Sequence, residues 1–172
     1  MTVKPILVEP NKLLRQISKS VERVTNEEQK LMDDMLETMY AANGIGLAAI
    51  QIGVPKRIIV MDISKEDKKK EPRFFVNPVI KIKDPQKATY EEGCLSVPDQ
   101  FAEIDRPSKC EVEYLDYNGK KQILKADGLL ATCIQHEMDH LEGILFIDYL
   151  SKLKRSMITK KLSKLKSNTA VL

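Results

Sequence analysis

Apolar positions recur along the chain with two periods, and each predicts a different kind of element. In "TNEEQKLMDDMLETMYAANG", Leu31, Met32, Met35, Leu36 and Met39 fall three and four apart, the spacing of one helical face. Thr25 with Glu28 forms a capping box at its start, and Asn43-Gly44 supplies a stop. The methionines read as core filler rather than as a cofactor box. A period of two then takes over. "RIIVMDI" at 57–63 has the pattern of a buried strand, and "RFFVNPVIKIKD" at 73–84 alternates in its second half. The next run sets Cys110, Val112 and Tyr114 against Glu111 and Glu113, with Asn118-Gly119 marking a hairpin turn. Between these strands, the charged run "SKEDKKKEP" at 64–72 reads as a solvated loop. Helical spacing returns twice. Asp127 is expected to cap a helix that begins at Gly128 or Leu129 and ends at Gly143. Leu150, Leu153, Met157, Leu162 and Leu165 then predict a last helix at about 150–166. A helix, several strands and two further helices make an α+β fold built on mostly antiparallel sheet.

Composition adds bounds to this pattern. A chain of 172 residues, 42% hydrophobic and 31% charged, suits one domain spanning 1–172. No apolar run approaches the length of a membrane span, and "MTVKPILVEP" lacks a signal peptide's apolar stretch, so the cytoplasm is the expected location. The net charge of +3 conceals an asymmetry. Seven basic residues and no acidic one lie beyond Ser151, leaving 21 basic against 25 acidic residues in the body. Three cysteines without a secretory signal argue for reduced thiols or a metal ligand, not a disulfide framework.

Candidate chemistry centres on "IQHEMDHLEG" at 134–143, which holds both histidines of the chain. On a helix, His136 and His140 stack on one face about 6 Å apart, close enough to converge on one ion. Glu137, rotated by about 100°, flanks that ion where a general base belongs. Two histidines carried by accident on an exposed helix is the bland alternative, and the pairing of both in H-E-x-x-H weighs against it. No third histidine exists, and no Asp or Glu follows Asp148, so the two usual metallopeptidase completions are missing. Glu142 sits at the helix end, poorly placed to return to the ion. Cysteine is the remaining candidate for a third ligand. Cys133 shares the histidine face but lies about 7 Å along the axis, and reads as a pocket wall. Cys110 fits a strand's core face. Cys94, in "EEGCLSVP", lies where a strand gives way to irregular backbone and is a modest favourite. "GIGLAAIQ" lacks the preceding strand and the later glycine of a nucleotide loop. Its Gly44 and Gly46 read better as backbone exposed to an extended substrate. Ile45, with Leu129 and Cys133, then makes an apolar pocket for a side chain.

Three stretches, "GIGLAAIQ" (44–51), "EGCLS" (92–96) and "QHEMDHLEG" (135–143), resemble those of bacterial peptide deformylases, in order and in spacing. "ILVEPNKLLRQIS" is similar to that family's first segment, so the likeness reaches nearly the whole chain. The resemblance implies antiparallel sheets packed around a central metal-binding helix, with helices towards both termini. It implies Cys94, His136 and His140 as ligands of one divalent ion, Fe²⁺ in the cell, although zinc, nickel or cobalt can use the same donors. It further implies hydrolysis of the formyl group of N-terminal formylmethionine. Glu137 then serves as general base, with the Gln51 amide and the Leu95 backbone N–H as oxyanion donors. Many relatives carry arginine where this chain has Phe101, and a substrate contact made by that arginine is then either absent here or moved, with Arg106 as the candidate. The basic last helix, read blandly as a solvated face, is implied to dock on the ribosome near the peptide exit. No membrane and no specific DNA is implied as a partner. Two rival readings are an ordinary endopeptidase, disfavoured by its missing third ligand, and a non-catalytic metal-binding protein, disfavoured by Glu137.

Overall fold

A computed structural model describes residues 2–171, with side chains through Lys164. Two helices sandwich an antiparallel sheet, and a separate hairpin closes one side. Helix α1 (Asn26–Ala41) begins at Thr25, whose hydroxyl accepts from the Glu27 N–H and donates to Glu28. It ends with Asn43 in the left-handed region, φ 56°, so Asn43 and not Gly44 provides the stop. Strands β1 (Gly46–Ala48), β2 (Ile58–Met61), β3 (Arg73–Lys83), β6 (Lys109–Leu115) and β7 (Lys121–Asp127) form a sheet in the order β1-β2-β3-β6-β7. Among the described residues, strands β4 (Lys87–Cys94) and β5 (Val97–Pro107) pair only with each other. Helix α2 (Gly128–Leu141) packs between the sheet and this hairpin, and α3 (Lys152–Val171) lies outside it.

The apolar run of β2 follows from this layering. Ile59 and Met61 face α2, where they meet Ile134 and Leu141, while Ile58 and Val60 face Met32, Met35 and Met39 of α1. A strand covered on both faces has no polar side, hence "IIVM". Strand β3 departs from the expected alternation. Its register against β6 shifts between Val76 and Val79 and again between Ile80 and Ile82, leaving Val79 and Ile82 exposed. The first shift accompanies Pro78, which has no N–H to give, and Asn77, at φ 51°, whose amide is bonded to both backbone groups of Val21. The Asn118-Gly119 hairpin forms as expected between β6 and β7, with Gly119 at φ 77°.

Asp127 occupies the N-cap position of α2, but among the described residues its side chain makes no capping bond, and the helix opens on Gly128 in the left-handed region at φ 54°. Gly143, at φ 72°, ends α2 against the backbone of Arg15. In α3 the expected apolar stripe is rotated. Ile158 and Leu162 pack on Val97, Ile104 and Phe146, whereas Leu153 and Met157 point to solvent. The helix also begins at Lys152 and runs on to Val171, and the Leu165 side chain lies outside the described residues. Residues 6–9 form a strap in which the Leu7 N–H donates to the Gln51 carbonyl (2.7 Å) and the Glu9 N–H to that of Ser96 (2.9 Å). No described helix is long and apolar enough to cross a membrane.

Candidate active site

Helix α2 presents His136 and His140 one turn apart, and the β4–β5 hairpin delivers Cys94 to them. Cys94 is the last residue of β4, followed by a two-residue turn, Leu95-Ser96, before Val97 pairs back with it. Donor atoms of Cys94, His136 and His140 all lie within 4.8 Å of one another. The Cys94 Sγ is 3.4 Å from His140 Nε2. His136 turns its Nδ1 to Glu92 Oε1 at 2.9 Å, which leaves Nε2 for the site. Burial alone would make His136 less basic, but its bonds to Cys94 and Glu92 outweigh this and raise its affinity for a proton. Burial pushes His140 well below its ordinary range, towards the neutral ring that a ligand must be. Cys110 sits in the core between the sheet and α2, Cys133 forms a wall near the Ile45 carbonyl, and Glu142 pairs with Arg57.

Glu137 is buried, with Oε1 3.9 Å from His136 Nε2 and no hydrogen-bond partner for Oε2 among the described residues. Burial raises its pKa to about 7, against the ordinary 4.5. A thiol and two imidazoles converging beside an orphaned carboxylate oxygen fit a divalent cation with an exchangeable neighbour. They do not select among iron, zinc, nickel and cobalt.

A cleft of about 530 Å³ opens onto this cluster. Ile45, Leu129 and Cys133 line it, as do Gly44, Gly46, Gln51 and Leu95, so the sequence-derived residues are brought together. The two glycines have a reason that the sequence did not reveal. A Cβ at Gly44 would lie 2.6 Å from Leu95 Cδ1, and one at Gly46 2.6 Å from Glu137 Oε1. Protein, therefore, fills the space that their missing side chains leave. Gln51 accepts from the Ala48 N–H through Oε1, while its Nε2 donates to Ser96 Oγ at 3.0 Å and lies 3.6 Å from Cys94 Sγ.

Sequence reasoning missed the support behind His136. Glu92 receives Arg106 Nε at 2.7 Å and Nη2 at 3.0 Å, and Arg106 Nη1 reaches Asp139 at 2.8 Å. Burial would raise the Glu92 pKa, yet the bonds from His136 and Arg106 hold it below the ordinary carboxylate range. Arg106 is thus consumed inside the protein and does not line the cleft, which removes it as the alternative substrate contact and leaves the other expectation, that the contact is absent here. A ligating histidine calls for such an outer carboxylate, but although "EGCLS" begins at Glu92, nothing in that pattern gave it this role.

Three potential metal ligands where a central helix meets an antiparallel hairpin place the chain among candidate metalloenzymes. Polypeptide deformylase is the family whose model matches residues 3–156. Peptide deformylase of Pelagibacter ubique is 80% identical over 171 residues, 99% of each chain, and that of Rhizobium meliloti is 55% identical over 95% of this chain and 94% of its own. A crystal structure of peptide deformylase from Ehrlichia chaffeensis in complex with actinonin superposes with a TM-score of 0.91 at 47% identity, covering 95% of this chain and 98% of that one. The chain belongs to the polypeptide deformylase family, metalloenzymes that remove the N-terminal formyl group of nascent peptides.

Proposed function

We propose that Cys94, His136 and His140 hold one divalent ion, Fe²⁺ in the cell, and that Glu137 moves the proton of the reaction. The observation carrying this reading is the convergence of those three donors beside a buried carboxylate with a free oxygen. Such an ion supplies Lewis acidity, polarising the formyl carbonyl and acidifying water. The Glu137 carboxylate accepts a proton from the attacking water and returns it to the amine nitrogen as the formyl C–N bond breaks. Formate and a free amino terminus result. A pKa near 7 suits a group that must both take and give a proton at neutral pH. The Gln51 amide and the Leu95 N–H stabilise the developing oxyanion. Gln51 then exchanges its contact with the Cys94 sulfur for one with substrate, while Ser96 keeps it oriented. Ile45, Leu129 and Cys133 receive the methionine side chain, and Gly44 and Gly46 border the substrate backbone.

Residues 1–172 then act as one catalytic domain in the cytoplasm, with α3 as a docking arm for the ribosome near the tunnel exit. The exposed Lys152, Lys154, Lys160, Lys161 and Lys164 support that arm. Formate release from formyl-Met-Ala-Ser, by protein prepared without oxygen in Fe²⁺, tests the chemistry. Glu137→Gln is expected to lower kcat by about 10²–10⁴ while retaining the ion, with acetyl-Met-Ala-Ser uncleaved. Undiminished formate from Glu137→Gln would remove Glu137 from the reaction.

A further inference from the structure

Residues 2–10 are exposed or half-buried with one exception, Glu9. A buried carboxylate costs stability unless it is paired, and an apolar side chain would pack there without that cost. Glu9 is only thinly paired. Its Oε1 lies 3.4 Å from Arg15 Nη2, and its Oε2 has no hydrogen-bond partner among the described residues. Arg15 is itself fixed, since its Nη1 donates to Asp148 at 2.6 Å and to the Gly143 carbonyl at 3.2 Å. Anchored in this way, Glu9 directs its own backbone N–H to the Ser96 carbonyl.

Ser96 needs such a hold. It lies in the turn between Cys94 and the paired Val97, so no strand residue stands opposite it. Its fully buried hydroxyl accepts from Gln51 Nε2 at 3.0 Å. An amide nitrogen carries two hydrogens, so the one given to Ser96 aims the other into the site, where Nε2 is 3.6 Å from Cys94 Sγ. The rest of Gln51 is held as well, its carbonyl by the Leu7 N–H and its Oε1 by the Ala48 N–H. A glutamine side chain free to turn samples several rotamers. A donor for a developing charge acts only when it is fixed beforehand.

We propose that Glu9 is a positioning residue for the oxyanion donor Gln51, acting through Ser96 and anchored by Arg15. Glu9 is not among the described residues lining the cleft, so it has no part in holding substrate. Its effect falls on the transition state, where the amide is used, and spares ground-state binding. This rests on the reading of Gln51 as an oxyanion donor.

The test measures kcat and KM for formyl-Met-Ala-Ser in the Fe²⁺ enzyme and in Glu9→Ala, Glu9→Gln, Gln51→Ala and the Glu9→Ala/Gln51→Ala double variant. Glu9→Ala is expected to lower kcat about tenfold and to leave KM within about twofold, part of the loss of about 10²–10³ that removing an oxyanion donor brings. Glu9→Gln keeps an acceptor for Arg15 and the same shape, and its kcat falls between the two. In the Gln51→Ala background, Glu9→Ala brings no further loss. The Gln51 side-chain amide resonances of the substrate-free zinc form, assigned by their disappearance in Gln51→Ala, shift in Glu9→Ala and less in Glu9→Gln. An equal kcat loss in both backgrounds, or unmoved amide resonances, would overturn the proposal. So would a Glu9→Ala protein that loses its metal or does not fold, since Glu9 would then serve the ligands or the structure. An undiminished kcat in Gln51→Ala would instead overturn the oxyanion reading itself, whether or not the amide resonances move.

Discussion

Three buried carboxylates, Glu137, Glu92 and Asp62, meet burial with different partners and end with different proton affinities. Glu137 has no donor at Oε2 among the described residues and is pushed up to about 7. Glu92 has Arg106 and His136 and stays below the ordinary range. Replacing its charge without changing its shape, in Glu92→Gln, is expected to weaken metal retention about 10- to 100-fold, read by competition with a chelator while far-UV dichroism reports an intact fold. Burial would also raise Asp62, but bonds from the Ser64 N–H, the Tyr40 hydroxyl and the Glu71 N–H overcome it and lower its pKa. A depressed folded-state pKa stabilises the protein above the unfolded value of about 3.9, and that stability is lost as pH falls through the folded value. Urea midpoints between pH 6 and 3 should therefore decline less steeply in Asp62→Asn than in the unaltered protein, and parallel curves would discount Asp62. The ionic partners of these residues were not legible in the sequence. Glu92 reaches partners 14 and 44 positions away, and only the folded hairpin decides which of several nearby acids faces His136.

Helix α2 is the element that the sequence described best, because its two histidines, its apolar spacing and its terminal glycine all act locally. Gly143 combines φ 72° with a position against the Arg15 carbonyl, where a side chain has no room. Gly143→Ala is expected to cost about 2–4 kcal/mol, seen as a lower urea midpoint with an unchanged slope. A midpoint equal to that of the unaltered protein would mean that the helix end relaxes freely. Strand β3 and helix α3 were less legible for a shared reason. Alternation in β3 is reset by bulges that depend on β6, and the buried stripe of α3 depends on the surface formed by β5 and the Phe146–Tyr149 turn. Periodicity says that an element has a buried side, but the neighbour fixes its phase.

At the scale of the molecule, charge is sorted by location, with a basic outer face on α3. Arg155 of that helix is tied back to the body through Asp148, itself held by Arg15, while the lysines remain exposed. Removal of the residues beyond Ser151 is expected to abolish salt-sensitive cosedimentation with ribosomes, and retention of that binding would separate the helix from docking. The strap at residues 6–9 has a different reach. It is bonded to the carbonyls of Gln51 and Ser96, two residues whose side chains meet each other beside Cys94. It acts as a drawstring on the catalytic floor. A fusion partner pulling on the amino terminus, or a protease nicking it, would slacken the cleft from behind without ever meeting the substrate.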